Sequence, residues 1–218
     1  MDGRLYNPGL AAKRGQYDLV LSCGDIPAYY MDFVASVLHV PLLGIHGNHD
    51  GSLARNQDDE GNAHWGMHEL HGKVVEEQGL LIGGFDGCLR YNRGSYQYTE
   101  VGMKAQIAGM VPQLLMNKLR YGRYLDVLVT HAPPRDIHDK QDLPHRGFEA
   151  FRWFLRTFKP RYHLHGHIHI YDKRTVTRTQ FHETEVLNVY PYRDVNVAVV
   201  GKSGQALPAP ATASLGPP

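Results

Sequence analysis

The chain has 218 residues, with 23 Lys and Arg against 22 Asp and Glu for a formal charge of +1, and 42% of its residues are hydrophobic. This is enough for one domain with a buried core, and it excludes a disordered chain; Cys23 and Cys88 alone exclude a disulfide framework. The near-neutral balance gives no specific nucleic-acid signal, because polyanion binding needs many clustered cations. The unusual quantity is 14 His, and position must decide what they do.

Met1 to Leu10 lacks the basic start and continuous apolar run of a signal peptide. The most apolar stretch, Val34 to Ile45, is interrupted by His39, Pro41 and Gly44 and is too short to span a bilayer. The expectation is a soluble cytoplasmic protein, with oligomeric state left open.

Tyr17 to Cys23 reads as a buried strand stopped by Gly24-Asp25, and a short helix is expected ahead of it at Leu10 to Arg14. Tyr29 to His39 carries apolar residues at helical spacing. Pro41 to Ile45 is a second strand, stopped by His46-Gly47-Asn48-His49-Asp50, and polar Gly51 to Gly72 reads as a long loop. Leu80 to Phe85 is a third strand. Thr99 to Arg120 is the longest helical region, with Val101, Ala105, Ile107, Ala108, Val111, Leu114 and Leu115 as its expected core face and Pro112 as a kink or break. Leu125 to Thr130 is a fourth strand ending at His131. A polar loop containing His138, Asp142 and His145 leads to a helix over Phe148 to Phe158. Arg161 to His165 is a fifth strand before Gly166-His167-Ile168-His169, and Thr175 to Thr179 and Glu185 to Val189 alternate like antiparallel strands. Strands alternating with helices indicate an α/β protein. The expected organisation is one domain over residues 1–201 and a disordered, Ala/Pro-rich tail over 202–218.

Asp25, Asn48 with His49 and Asp50, His131, and His167 with His169 each follow a strand candidate. In open α/β sheets ligands gather beyond the carboxyl ends of strands, so these residues converge on one rim. Carboxylates, a carboxamide and imidazoles make a mixed oxygen and nitrogen donor set that suits Zn, Mn or Fe.

In order, Gly24-Asp25, Gly47-Asn48-His49-Asp50, His131 and Gly166-His167-Ile168-His169 resemble the calcineurin-like metallophosphoesterase family, over roughly Gln16 to Asn188. The resemblance implies a double β-sandwich of mixed sheets flanked by helices, four layers in all (α/β/β/α), and hydrolysis of a phosphomonoester or phosphodiester at a binuclear centre. It implies that Asp25 bridges two divalent metal ions (Mn, Fe or Zn), that Asn48, His131 and His167 hold one of them, and that His169 serves the other. It further implies that His49 donates a proton to the leaving oxygen or stabilises the transition state, and that Asp50 orients His49 by accepting its other ring proton. Two metals about 3.5 to 4 Å apart lower the pKa of a shared water and clamp an in-line displacement. The implied partner is a small-molecule or macromolecular phosphate ester.

The family's first motif, Asp-x-His after a strand, has no match before Gly24; Asp2-Gly3-Arg4 is the only candidate. Two expectations follow: the chain begins inside a longer parent, leaving a sheet edge exposed beside Tyr17 to Cys23, or Asp2 itself reaches the metal. The gap also keeps open a noncatalytic metal-binding protein on the same scaffold. A zinc hydrolase of the metallo-β-lactamase type is set aside, because Ile170-Tyr171-Asp172 follows where an Asp-His pair is required. Among the other residues, His46 is read as a strand-end side chain or one pointing into the site, His163 and His165 as surface or packing residues, and His64, His68 and His71 as solvent-exposed or substrate-side loop residues. Trp65, Arg90, Tyr91 and Arg93 are read as pocket or surface residues, Asp86 as a turn residue and Cys23 as a buried small residue.

Overall fold

The computed structural model describes residues 5–50 and 66–201. Asp2, His64, Trp65 and the tail from Lys202 lie outside the described residues, and the readings made of them with it. A 3₁₀ turn at Pro8–Lys13 stands in place of the expected short helix. It leads to β1 (Val20–Ser22), α1 (Ala28–Leu38), β2 (Leu42–Gly44) and β3 (Met67–Glu69), whose strands form a parallel sheet in the order β1-β2-β3. β3 corrects the expectation of a continuous loop to Gly72. Of its three residues only Met67 is buried, too little apolar pattern for sequence to signal a strand. Among the described residues β1 is paired as a strand with β2 alone.

The second sheet is built from β4 (Val74–Glu77), β5 (Leu80–Phe85), β8 (Val127–Thr130), β9 (Tyr162–His165), β10 (Arg178–Phe181) and β11 (Thr184–Asn188), in the order β10-β11-β9-β8-β5-β4. The four inner strands run parallel, and the outer β4 and β10 run antiparallel to their neighbours. A small parallel pair, β6 (Cys88–Leu89) and β7 (Gln97–Tyr98), precedes α2 (Glu100–Tyr121). This helix connects β5 to β8, and α3 (Glu149–Phe158) connects β8 to β9, so these two parallel steps are βαβ crossovers, whereas β9 is joined to β11 through β10.

Strand alternation assigns side chains to layers. On β5, Leu81 and Phe85 point toward Ile107, Met110, Phe151 and Phe154 of the helices, whereas Leu80 and Ile82 point toward Leu43 and Ile45 of the smaller sheet. Leu42 and Met67, on the far face of that sheet, pack with Tyr30, Val34 and Leu38 of α1. Three apolar clusters thus separate four layers: α1, the three-stranded sheet, the six-stranded sheet, and α2 with α3. This is the α/β/β/α sandwich. An extended segment carries Val195, Val197 and Val199 against the cluster between the sheets.

α2 runs unbroken past Pro112, capped by the Thr99 hydroxyl, which accepts the Gly102 amide at 3.0 Å, and closed by left-handed Gly122. Its core face differs from the expected one. Met103, Ile107, Met110 and Leu114 are buried, while Val101 is 77% exposed and Leu115 51%. Apolar residues lie on more than one side of this helix, so periodicity alone does not select the side that meets the sheet.

Candidate metal centre

The parallel strands of both sheets end at one rim. Asp25 follows β1, Asn48 to Asp50 follow β2, His131 follows β8 and His167 follows β9. The first two loops touch backbone to backbone: a Cβ on Gly24 would lie 2.3 Å from the Gly47 amide nitrogen, and one on Gly47 would lie 2.1 Å from Asp25 Oδ1. Only glycine at both positions allows this approach. Asp25 (φ 58°) and His167 (φ 63°) adopt the left-handed conformation that non-glycine residues rarely take.

His131 stands at the centre of the cluster. Its Nδ1 lies 2.7 Å from the Cys23 carbonyl oxygen, which can only accept, so Nδ1 carries the proton and Nε2 of the neutral ring presents a lone pair. His167 Nε2 donates likewise to the Pro144 carbonyl at 2.7 Å, leaving its Nδ1 bare. Asn48 Nδ2 donates to the Tyr91 hydroxyl at 3.2 Å, which turns Oδ1 inward. His131 Nε2 is then 3.0 Å from Asn48 Oδ1, 3.0 Å from His167 Nδ1 and 3.2 Å from Asp25 Oδ2. Three electron-pair donors therefore surround His131 Nε2 at separations close to the ~3.0–3.4 Å edges of a coordination shell with ~2.0–2.1 Å bonds. Asp25, His131 and His167 are the one group of three such residues, among those described, whose ligand atoms all lie within 4.8 Å of one another.

The electrostatics agree. Burial pushes Asp25 upward, but the hydrogen bond and charge of His131 and the His49 amide prevail and hold the carboxyl below its ordinary range. Burial pushes His131 down, yet its bond to Asp25 and the charge of that carboxylate prevail and raise it. His167 is pushed down to about 3, first by burial and then by the neighbouring His131. These donors suit a cation: a proton on His131 answers the Asp25 carboxylate in part, and a divalent ion would suit the whole set. The residues present thus fit a divalent metal.

The flanking residues divide. His49 is exposed at the rim, and its backbone amide donates to Asp25 Oδ1 at 2.7 Å. The buried Asp50 does not bond the His49 ring as the resemblance implies. Its Oδ2 accepts the amides of Gly47 (2.7 Å) and Asp25 (3.1 Å), and its Oδ1 has no hydrogen-bond partner among the described residues. Asp50 thereby ties the Asp25 and Asn48 loops together, and burial raises its pKa. His169 stands outside the tight group. Its ring stacks on Tyr190 at 4.4 Å and its Nδ1 is 3.2 Å from the Tyr171 hydroxyl, with Asp25 and His131 still acting on it electrostatically.

Two supporting residues need more than sequence to be seen. Asp86, read as a turn residue, is buried and grips the base of the Gly47 to Asp50 loop. Its Oδ1 accepts the His46 amide at 2.8 Å, and the next amide, Gly87, donates to the His46 carbonyl at 2.7 Å. Its position after β5 on the same rim is the signal available in the sequence. Tyr91, half-buried, orients Asn48 through its hydroxyl and packs in part against the helix-side core. His46 is buried and stacks on Tyr96. His163 and His165 are fully buried on the helix side of β9, as packing and not surface residues; Thr130 Oγ1 lies 2.7 Å from His163 Nε2, and His138 Nδ1 lies 3.0 Å from His165 Nε2. His68 is exposed as expected, whereas His71 is partly buried and accepts the Asp86 amide through Nδ1 at 3.0 Å.

Comparison with solved structures gives the same architecture. A crystal structure of TT1561 from Thermus thermophilus is similar with a TM-score of 0.54 and 14% identity, covering 84% of this chain and 80% of that one. Another crystal structure is similar with a TM-score of 0.51 and 16% identity, covering 84% and 82%. At these identities the likeness concerns the fold. No curated protein matches the chain. No helix among the described residues is long and apolar enough to cross a membrane. Residues 5–171 match the sequence model of the calcineurin-like phosphoesterases, enough of the chain to place it in that family of metal-dependent phosphoester hydrolases.

Proposed function

We propose that this chain hydrolyses a phosphate ester, mono- or diester, at a centre in which Asp25, Asn48, His131 and His167 hold a divalent ion (Mn, Fe or Zn). Asp25 and His169 would serve a second ion. The observation that carries the reading is the gathering of Asp25, Asn48 and His167 donors around His131 Nε2, with both imidazole tautomers fixed by carbonyl partners. When bound, divalent ions neutralise phosphoryl charge and bring the pKa of a shared water toward neutrality.

The protein's own residues supply the rest. His49, exposed where a substrate arrives, gives a proton to the departing alkoxide oxygen as the phosphorus–oxygen bond breaks and water's oxygen takes its place. Asp50 keeps the Asp25 and Asn48 loops at fixed separation through two backbone amides. The test is turnover of bis(p-nitrophenyl) phosphate with added Mn, for the wild type, His131→Ala and His49→Ala. His131→Ala should lose bound metal and activity together; His49→Ala should lose activity with metal retained. Metal loss in His49→Ala would show its assigned role to be wrong. A second reading, one bound ion without turnover, draws on the position of His169 outside the tight group. It predicts a single metal per chain and no release of p-nitrophenol.

A further inference from the structure

Beside the metal centre lies an open cavity of about 570 Å³, within the ~300–1,000 Å³ range of small-molecule sites. It adjoins the centre through the segment that follows His167, since Ile168 and His169 belong to its wall. Ile137, Ile168, Ile170 and Val176 make the surface predominantly apolar. At its base His138 Nε2 and Thr179 Oγ1 are 2.9 Å apart, so these polar groups are occupied with each other.

Asp136 binds Arg152 at 2.6 Å, Asp139 binds Arg135 at 3.2 Å and the Gly147 amide at 3.0 Å, and Asp172 binds Arg174 at 2.8 Å. Each carboxylate on the wall is thus turned to a partner of its own. Lys140 also lines the cavity. Its charge acts on both Asp142 and His169.

We propose that this cavity receives the alcohol portion of the ester, an apolar body the size of one or two fused rings. The inference rests on the reading that the chain cleaves phosphate esters, and it names the substrate class: monoesters or diesters of bulky apolar or aromatic alcohols. Tyr171, 83% exposed on the cavity wall, offers a ring face to such a body.

The test uses the metal-loaded protein and two ligands that cannot be hydrolysed, 1-naphthylmethylphosphonate and methylphosphonate, with binding measured by calorimetry. The naphthyl ligand should bind at least tenfold tighter. Val176→Arg places a long side chain into the cavity from a position that is 63% exposed, so folding should be retained, and a melting curve checks this. In that variant the naphthyl advantage should fall about tenfold. Equal affinities in the wild type, or an advantage unchanged by Val176→Arg in a folded protein, would overturn the proposal. The hydrolase reading fails separately: a Val176-dependent preference without turnover of any diester counts against that reading and supports the cavity, whereas turnover without a preference overturns the cavity alone.

Discussion

Gly47→Ala tests whether contact between two backbones sets the metal centre. The added Cβ would lie 2.1 Å from Asp25 Oδ1, 2.6 Å from Asp25 Cγ and 2.7 Å from its amide nitrogen, where ordinary contact begins near 3.4 Å. Asp25 has no room to yield: its Oδ1 accepts the His49 amide at 2.7 Å and its amide donates to Asp50. Relief requires a shift of roughly 1 Å, several times the ~0.2 Å tolerance of a metal–ligand distance. Metal affinity should therefore fall by about 10- to 100-fold, or ~1.4–2.7 kcal/mol, the scale seen when a metal's supporting residues are altered. Calorimetric titration with Mn, alongside turnover of a generic diester, measures both consequences. Gly109→Ala is the control: no atom lies within 4 Å of its added Cβ, and as an interior helix position it should gain up to ~1 kcal/mol of stability with metal binding unchanged. A folded Gly47→Ala protein that titrates Mn like the wild type would refute the argument.

Other outcomes follow from the same geometry. Tyr91→Phe removes the acceptor that turns Asn48, so Mn affinity should fall several-fold, up to ~10-fold, while the fold persists; an unchanged titration would show that the amide is oriented by other means. Asp86→Ala leaves the buried His46 amide without its acceptor and should cost about 1–3 kcal/mol in urea unfolding, with Asp86→Asn milder because it keeps an acceptor oxygen; equal losses would point to charge instead of the hydrogen bond. Burial depresses His163 to about 3 and His138 to about 4, from 6.5. The unfolded chain then binds more protons below pH 6.5, so their contribution is complete above that value and is lost as pH falls toward 4 and 3. Between pH 7 and pH 5, His163 alone should cost about 2 kcal/mol. Urea midpoints measured across that interval should decline less steeply for His163→Leu than for the wild type, and parallel curves would contradict the buried neutral ring.

Sequence exposes the rim of this protein better than its supports. Asp25, Asn48, His131 and His167 each follow a run of apolar residues, and strand followed by polar ligand is a local pattern. Asp86 follows such a run as well, but its task is defined by His46, forty residues away, and no local pattern carries that pairing. For Asp50 the loop is legible and the partner is not: proximity to His49 in sequence suggests its ring, whereas folding brings the backbone amides of Gly47 and Asp25 to its carboxylate. The short strands β3 and β6 carry too few inward residues for alternation to declare itself. On α2, apolar Val101 and Leu115 look no different in sequence from buried Met103 and Leu114, and only the opposing sheet decides between them.

The left-handed backbone at Asp25 and His167 sets a limit on any attempt to make this protein sturdier. Each conformation costs of order 1–3 kcal/mol for a residue with a side chain, and glycine would relieve it. A search for stabilising substitutions guided by melting temperature alone would therefore be drawn to these two positions, and success there would erase two of the four donors. Thermal robustness and metal chemistry pull in opposite directions at Asp25 and His167. Sites such as Gly109, far from the rim and open to a methyl group, are where an engineer can gain stability without touching the chemistry.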